Sequence, residues 1–352
     1  MLGLMGFIVL LIIVLTIYYL YRSFSKFSFI NKIKNKLLKR IVPLIPLVLI
    51  FVLFNFVNSL VIILHLAFFT AITNLIIKLT KKEFKFYLGG ILGIVLTTIY
   101  LLYGAYQIYH VYETKYIVET SKNVPNMRIV QISDSHVGTT FNGKELNKYV
   151  ESINKTNPDI VVITGDLVDD DTSKKDMIDT CISLGNLKTK YGVFFAYGNH
   201  DKRYFSGDYT SDDLIENLKK NNVIILEDER YELDNYYIVG RNDARYNRKT
   251  IDELTNDLDK SKYIIDLNHQ PNDYEREKNK VDLVLSGHTH GGQMIPLMYF
   301  IKPLKIDDEY YGIHKRDNTT FIVTSGLSDW AVDFKTGTFS EYVVIDIVGN
   351  NE

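Results

Sequence analysis

MRIVQISDSH, residues 127–136, decides how the rest of the chain is read. A run dominated by apolar and β-branched side chains reads as a buried strand, and it gives way at once to Asp134 and His136. The same change recurs downstream. Ile160–Thr164 runs into GDLVD (165–169), Gly192–Tyr197 into GNHD (198–201), Tyr263–Leu267 into NHQP (268–271), and Val281–Ser286 into GHTHGGQ (287–293). Tyr237–Gly240 and Phe321–Thr324 read as two further strands. Helical patterns cover Lys144–Lys155, Lys174–Leu187 and Asp212–Lys220 between them. Strands alternating with helices predict an α/β layered domain from residue 127 to the end.

Each polar cluster stands just past the C-terminal end of a strand. In sheets with parallel strands those ends line up on one edge, where ligands commonly bind. Five of the eight histidines (His136, His200, His269, His288, His290) are thereby predicted to meet Asp134, Asp166, Asp169, Asp201 and Asn199. Taken singly, each is ordinary: an Asp or Asn after a strand is usually a cap or a turn. Together they are not, because several carboxylates beside apolar strands repel one another unless a cation sits among them. Oxygen and imidazole donors without thiolate suit a pair of Mn²⁺, Fe²⁺ or Zn²⁺ ions rather than a calcium cage. The single cysteine, Cys181, excludes an intrachain disulfide framework and a cysteine-rich zinc cluster.

Upstream the composition changes. Residues 1–110 carry eleven Lys/Arg against one acid, Glu83, a net of +10, while 111–352 carry 29 basic and 41 acidic residues, a net of −12. Over the whole chain the net charge is −2, and 23% of residues are charged, which excludes both a disordered chain and a strongly basic nucleic-acid binder. Met1–Tyr21, Ile41–Ile77 and Phe86–Tyr112 are free of charge and apolar. The first and third match a crossing of about 20 residues, but the middle run is too long for one. Asn55, Asn58 and Ser59 near its centre suggest a turn, so four spans are expected, at about 2–21, 41–57, 60–77 and 87–109, forming an all-α bundle. Four spans also place the two basic loops, 22–40 and 78–85, on one face. The positive-inside rule then makes that face cytoplasmic and puts the C-terminal domain outside. Residues 1–20 lack a basic n-region and an A-x-A-like site, which favours an uncleaved anchor over a signal peptide. Residues 111–126 read as a linker, and His65 and His110 as structural or interfacial.

SDSH, GDLVD, GNHD, NHQP and GHTHGGQ, in this order, resemble the calcineurin-like metallophosphoesterases over residues 127–293. Four spans ahead of them resemble that family's transmembrane branch, whose members are similar to UDP-diacylglucosamine hydrolases. The resemblance implies a four-layer αββα sandwich around two metals. It makes Asp134, His136, Asp166 and His290 ligands of one ion, with Asp166 bridging to a second held by Asn199, His269 and His288. It implies that His200 faces the substrate as the catalytic acid and that Asp169 orients it. A water activated between the two ions would attack phosphorus directly, in a phosphomonoester, a phosphodiester or a pyrophosphate. Related phosphatases have an arginine directly after the GDxxD motif; here it is Asp170, so phosphate must be recognised in another way.

The partners expected are the lipid bilayer and a phosphoester linked to lipid or cell wall, with no nucleic acid. A UDP-linked lipid suits a cytoplasmic enzyme, whereas loop charge places this domain outside. The competing class is a catalytically silent membrane receptor or scaffold, whose mark would be a lost ligand or lost acid; none is lost. Trp330 and Phe334 read as packing residues, His314 as solvent-exposed, and Asp169–Asp171 and Glu227–Glu229 as solvated faces apart from the motif residue Asp169.

Overall fold

The computed structural model describes residues 2–202, 207–296, 298–299 and 302–350. Its strands, in chain order, are β1 (Tyr112–Glu119), β2 (Met127–Ile132), β3 (Ile160–Thr164), β4 (Gly192–Ala196), β5 (Val223–Ile225), β6 (Glu229–Glu232), β7 (Tyr236–Gly240), β8 (Tyr263–Leu267), β9 (Leu283–Ser286), β10 (Gly312–Arg316), β11 (Thr319–Val323) and β12 (Glu341–Val348). Its helices are α1 (Leu2–Phe24), α2 (Ser28–Asn31), α3 (Lys36–Ile41), α4 (Ile45–Leu53), α5 (Phe56–Thr80), α6 (Leu88–Tyr109), α7 (Leu146–Lys155), α8 (Lys174–Leu184), α9 (Ser211–Lys220), α10 (Ile251–Thr255) and α11 (Tyr274–Glu277).

Two compact units result: residues up to Ala105 with Ala331–Asp333, and Tyr106–Trp330 with the residues from Phe334 onward. In the second, two six-stranded sheets run in the orders β1-β12-β2-β3-β4-β5 and β10-β11-β9-β8-β7-β6. Because successive strand residues face opposite ways, each apolar strand feeds two layers. In β3, Val161 and Ile163 point to a cluster with Leu146, Val150, Met177 and Leu214 of α7, α8 and α9. Ile160 and Val162 instead meet Ile238, Ile265 and Leu285 of the other sheet. That sheet's outer face, with Val239, Val284 and Phe321, is covered by Ile251 and Leu254 of α10 and Tyr274 of α11. Helices, sheet, sheet and helices therefore stack in four layers.

β2, β3, β4 and β5 are parallel, as are β7, β8, β9 and β11. This parallel pairing gathers the strand ends named above. The expected linker is a correction: residues 112–119 form edge strand β1, paired in parallel with β12 from Tyr112↔Glu341 to Glu119↔Val348. Its burial alternates along the strand, as an edge strand with one solvated face should.

Among the described residues three helices are long and apolar enough to cross a membrane: Gly6–Phe24, Phe56–Thr80 and Leu88–Tyr109. The expected span at 41–57 is not one helix. A 3-10 turn at Val42–Leu44 precedes the nine-residue α4, and Pro43 and Pro46 supply no amide hydrogen to the ladder there. The reversal falls at Phe54–Asn55, with the Asn55 side chain accepting the Asn58 N–H at 2.8 Å and the Ser59 hydroxyl donating to the Ile50 carbonyl at 3.1 Å. Freed from sharing the run, α5 takes 25 residues rather than the eighteen of the expected span at 60–77. It pairs closely with α6, the Thr73 hydroxyl donating to the Gly89 carbonyl at 2.7 Å. His65 bonds the Val61 carbonyl and stacks on Tyr100, a packing role.

Candidate metal centre

The strand ends deliver their side chains at a backbone cost. Asp134, His136, Asp166, His288 and His290 all have positive φ, between 36° and 70°. Each such non-glycine residue costs on the order of 1 kcal/mol or more, and strain of this kind gathers at functional sites. Glycines supply the room. A Cβ at Gly287 would collide with Ser133 and the Asp134 carboxylate, and one at Gly198 with Asp166.

Asp166 stands at the centre. Its Oδ1 accepts the His200 N–H at 2.8 Å, which turns Oδ2 toward His269 Nε2 at 3.1 Å and His136 Nε2 at 3.8 Å. Two trios flank it. Asp134, His136 and His290 bring donor atoms within 4.8 Å of one another, and so do Asp166, His269 and His288. The Asp134 carboxylate is fixed by the His288 N–H, 3.0 Å from both oxygens. Asn199 is 2% exposed, and its Oδ1 is buried without a hydrogen-bond partner among the described residues. A buried acceptor left unmatched in a cage of carboxylates and imidazoles is what a cation would satisfy. The donor set therefore fits divalent ions.

Outer partners fix the rings. His269 Nδ1 lies 2.7 Å from the Thr164 carbonyl, and His290 Nδ1 2.8 Å from Asp329. Both Nε2 atoms are left turned inward, the usual second contact of a metal-binding histidine. Asp169 serves two rings, at 3.2 Å from His136 Nδ1 and 3.3 Å from His200 Nδ1. Asp201, fully buried, accepts the N–H groups of Asp166, Leu167 and Gly198 at 2.8, 2.9 and 2.7 Å, clamping the GDLVD turn to the GNHD turn.

Charge follows this geometry. Burial opposes ionising Asp166, yet the neighbouring His269 holds its carboxyl well below the usual range. Burial likewise pulls the His269 imidazole down, but Asp166 overrides it and lifts His269 to about 10. His288, buried and facing a charged His269, falls to about 4. Without a cation, protonated imidazole is the counter-charge for these carboxylates.

The resulting cavity, of about 290 Å³, is lined by Asp166, Asn199, His200, His288 and His290 together with Asp170, Arg245 and Trp330. Trp330 is a correction: it is 50% exposed at the cavity, its ring 5.6 Å from that of His200, whereas Phe334 is buried as expected. Asp170 is likewise part of this wall rather than a solvated face. His314 is half-buried rather than exposed and bonds the Tyr311 carbonyl through Nε2 at 2.9 Å. Arg245, Asp329 and Lys335 went unread in sequence. Lys335, fully buried, pairs with Asp329 at 3.1 Å, behind His290.

The profile of the calcineurin-like phosphoesterases matches residues 127–292. An uncharacterized metallophosphoesterase of Campylobacter jejuni is 30% identical over 269 residues, covering 73% of this chain and 69% of that protein. The chain belongs to the calcineurin-like phosphoesterases. Another metallophosphoesterase, from Helicobacter pylori, is 31% identical over 235 residues, and this chain spans 61% of its length. A "transmembrane protein with metallophosphoesterase domain" of Danio rerio is 28% identical over 272 residues, 71% of this chain and 61% of that protein. None of these three names carries a UDP-diacylglucosamine substrate.

As a metallophosphoesterase fold the chain implies divalent metal ions, and the clustered donors of this centre agree. Binding them requires neutral imidazole. Were His269, raised to about 10, to serve as a ligand, a cation arriving at pH 7 would expel its proton. The sign is fixed: protons compete, so affinity rises with pH up to that value, by about tenfold per unit for each proton released. Calorimetric titration with Mn²⁺ in buffers of different ionisation enthalpy should count at least one proton per site pair; a count of zero contradicts the arrangement.

Proposed function

We propose that the chain is a membrane-anchored, dinuclear metal-dependent phosphoesterase acting on a phosphomonoester, phosphodiester or pyrophosphate of a lipid or envelope molecule. The supporting observation is Asp166 Oδ2, which belongs to the trio with His269, 3.1 Å away, and His288, and also lies 3.8 Å from His136 of the trio with Asp134 and His290. In this reading Asp134, His136, Asp166 and His290 hold one ion, and Asp166, Asn199, His269 and His288 hold the other. Bound there, divalent cations supply Lewis-acid polarisation of the phosphoryl oxygens and a lowered pKa for water.

The remaining tasks fall to the chain's own residues. His200, its imidazole opposed by burial but raised by the Asp169 carboxylate, carries a proton to the leaving oxygen. Asp169 fixes its ring. Arg245 replaces the arginine that Asp170 displaced. It sits on a loop pinned from behind: Asp243 accepts the Arg245 N–H at 2.9 Å and the Gln270 amide at 2.7 Å, and Arg248 reaches Asn268 at 2.9 Å. A guanidinium at the cavity wall matches the paired oxygens of a phosphoryl group. Removing it with Arg245→Ala should lower kcat/KM by about 10–100-fold, mainly through KM, in keeping with a lost charge-assisted hydrogen bond. Steady-state kinetics with bis-p-nitrophenyl phosphate would check this.

The membrane reading retains four crossings, with the domain outside. The charge-free helical backbone from Ile41 to Leu53 supplies thirteen residues, about 20 Å at about 1.5 Å each, as the short first arm of the hairpin, with Lys36, Lys39 and Arg40 before it at the interface. Labelling Lys219→Cys with an impermeant maleimide on intact cells tests the side; the native Cys181 is buried and stays silent. Elemental analysis with a panel of mono-, di- and pyrophosphoesters tests the chemistry. Full activity in both Asp134→Asn and His290→Ala would end the proposal.

A further inference from the structure

At the opposite chemical extreme from the acidic centre lies a second cavity, of about 580 Å³, wholly within the helical unit. Arg22, Lys26, Lys36, Lys39 and Arg40 line it, from the last turn of α1, the turn after it, and α3. None of the five forms an ion pair among the described residues, and Glu83 is the only acid in residues 1–110. All five side chains are exposed, but the backbone that carries them is packed: Ile30, 2% exposed, and Phe24 bury the turn, the Ser25 hydroxyl donates to the Tyr21 carbonyl at 2.8 Å, and Phe27 packs edge-on to Tyr87 at 5.3 Å. Lys26 lies over the Tyr87 ring at 5.4 Å. The Asn35 side chain caps α3 by accepting the Leu37 N–H at 2.9 Å, fixing the direction from which Lys36, Lys39 and Arg40 project.

We propose that this cavity binds the headgroup of an anionic phospholipid, its phosphodiester set among the five cations. Like charges fixed around a concave site call for an anion, and a basic pocket among membrane helices is suited to a lipid headgroup. The walls suit an amphiphile as well. Tyr21 and Ile30 border the charges, and the α1 surface before them is apolar and exposed at Leu10, Leu11, Val14, Leu15 and Tyr18, offering acyl chains a path. A free inorganic anion would use the charges but not that path.

The test uses the full chain in detergent micelles, with native mass spectrometry of retained lipid during titration with dioleoylphosphatidylglycerol or dioleoylphosphatidylcholine. One phosphatidylglycerol should bind about tenfold or more tighter than phosphatidylcholine. Lys36→Gln/Arg40→Gln should erase the preference, whereas Lys82→Gln/Lys85→Gln, in the other basic loop, should keep it. Arg22→Gln/Lys26→Gln carries the same expectation from the other wall, should the first variant not fold. Equal retention of the two lipids, equal loss in both loops, or displacement of phosphatidylglycerol by inorganic phosphate alone would overturn the proposal.

Discussion

Asp166→Ala is expected to abolish phosphoester hydrolysis, by about 10⁴-fold or more in kcat/KM, which corresponds to at least about 5 kcal/mol of transition-state stabilisation. Asp166 Oδ2 faces His269 of one trio and His136 of the other. With it gone, His269 loses the neighbour 3.1 Å away that sustains its charge, and His136 loses the oxygen 3.8 Å away. The unmatched Asn199 oxygen stays behind in a cavity too poor in charge to hold two cations.

The substitution also separates structure from chemistry. Asp201 continues to accept backbone N–H groups from Leu167 and Gly198 at 2.9 and 2.7 Å, so the loops keep their clamp. Elemental analysis should find at most one ion per chain against the two proposed for the parent, while circular dichroism stays unchanged. Asp166→Asn keeps the shape and a single neutral oxygen, and should fall between the two in metal content but near the alanine variant in rate. A variant that keeps both ions and about a tenth of the activity would show that Asp166 does not join the two halves.

The clustering of these side chains is legible in sequence because of where they sit. Each motif residue is within a few positions of a strand end, so a local pattern carries it, and parallel pairing of β2, β3 and β4 does the gathering. Asp329, Lys335 and Arg245 have no such local mark. Asp329 acquires meaning only because the chain returns after β11 to place it 2.8 Å from His290. Arg245 rides on a loop after β7, a strand whose end bears no histidine. β1 looked like a linker because its partner β12 lies at the other end of the chain and its outer face is exposed. The apolar run at 41–77 showed its polar turn, but hydropathy is blind to what Pro43 and Pro46 do to the first arm.

His200→Ala is expected to lower kcat by about 10²–10⁴-fold while both ions remain, the range of a lost general acid. Its Nδ1 is engaged by Asp169 at 3.3 Å, so the ring's other face is the one turned to the cavity, beside Trp330. Burial disfavours its charged form, but the carboxylates of Asp169, Asp166 and Asp170 together raise the imidazole above its ordinary value. The sign then runs one way. The proton needed for leaving-group departure is present below the raised pKa and lost above it, so kcat should fall on the alkaline side, and Asp169→Asn should move that fall to lower pH. Leaving-group dependence separates this role from metal holding, since a ring nitrogen of His200 also lies within 4.8 Å of donor atoms of His136 and Asp166. An alkyl phosphodiester, whose alkoxide needs the proton, should lose most of its rate in His200→Ala. A p-nitrophenyl diester, whose phenolate leaves unaided, should lose far less. Equal losses on the two substrates, with one ion missing, would make His200 a ligand instead of an acid.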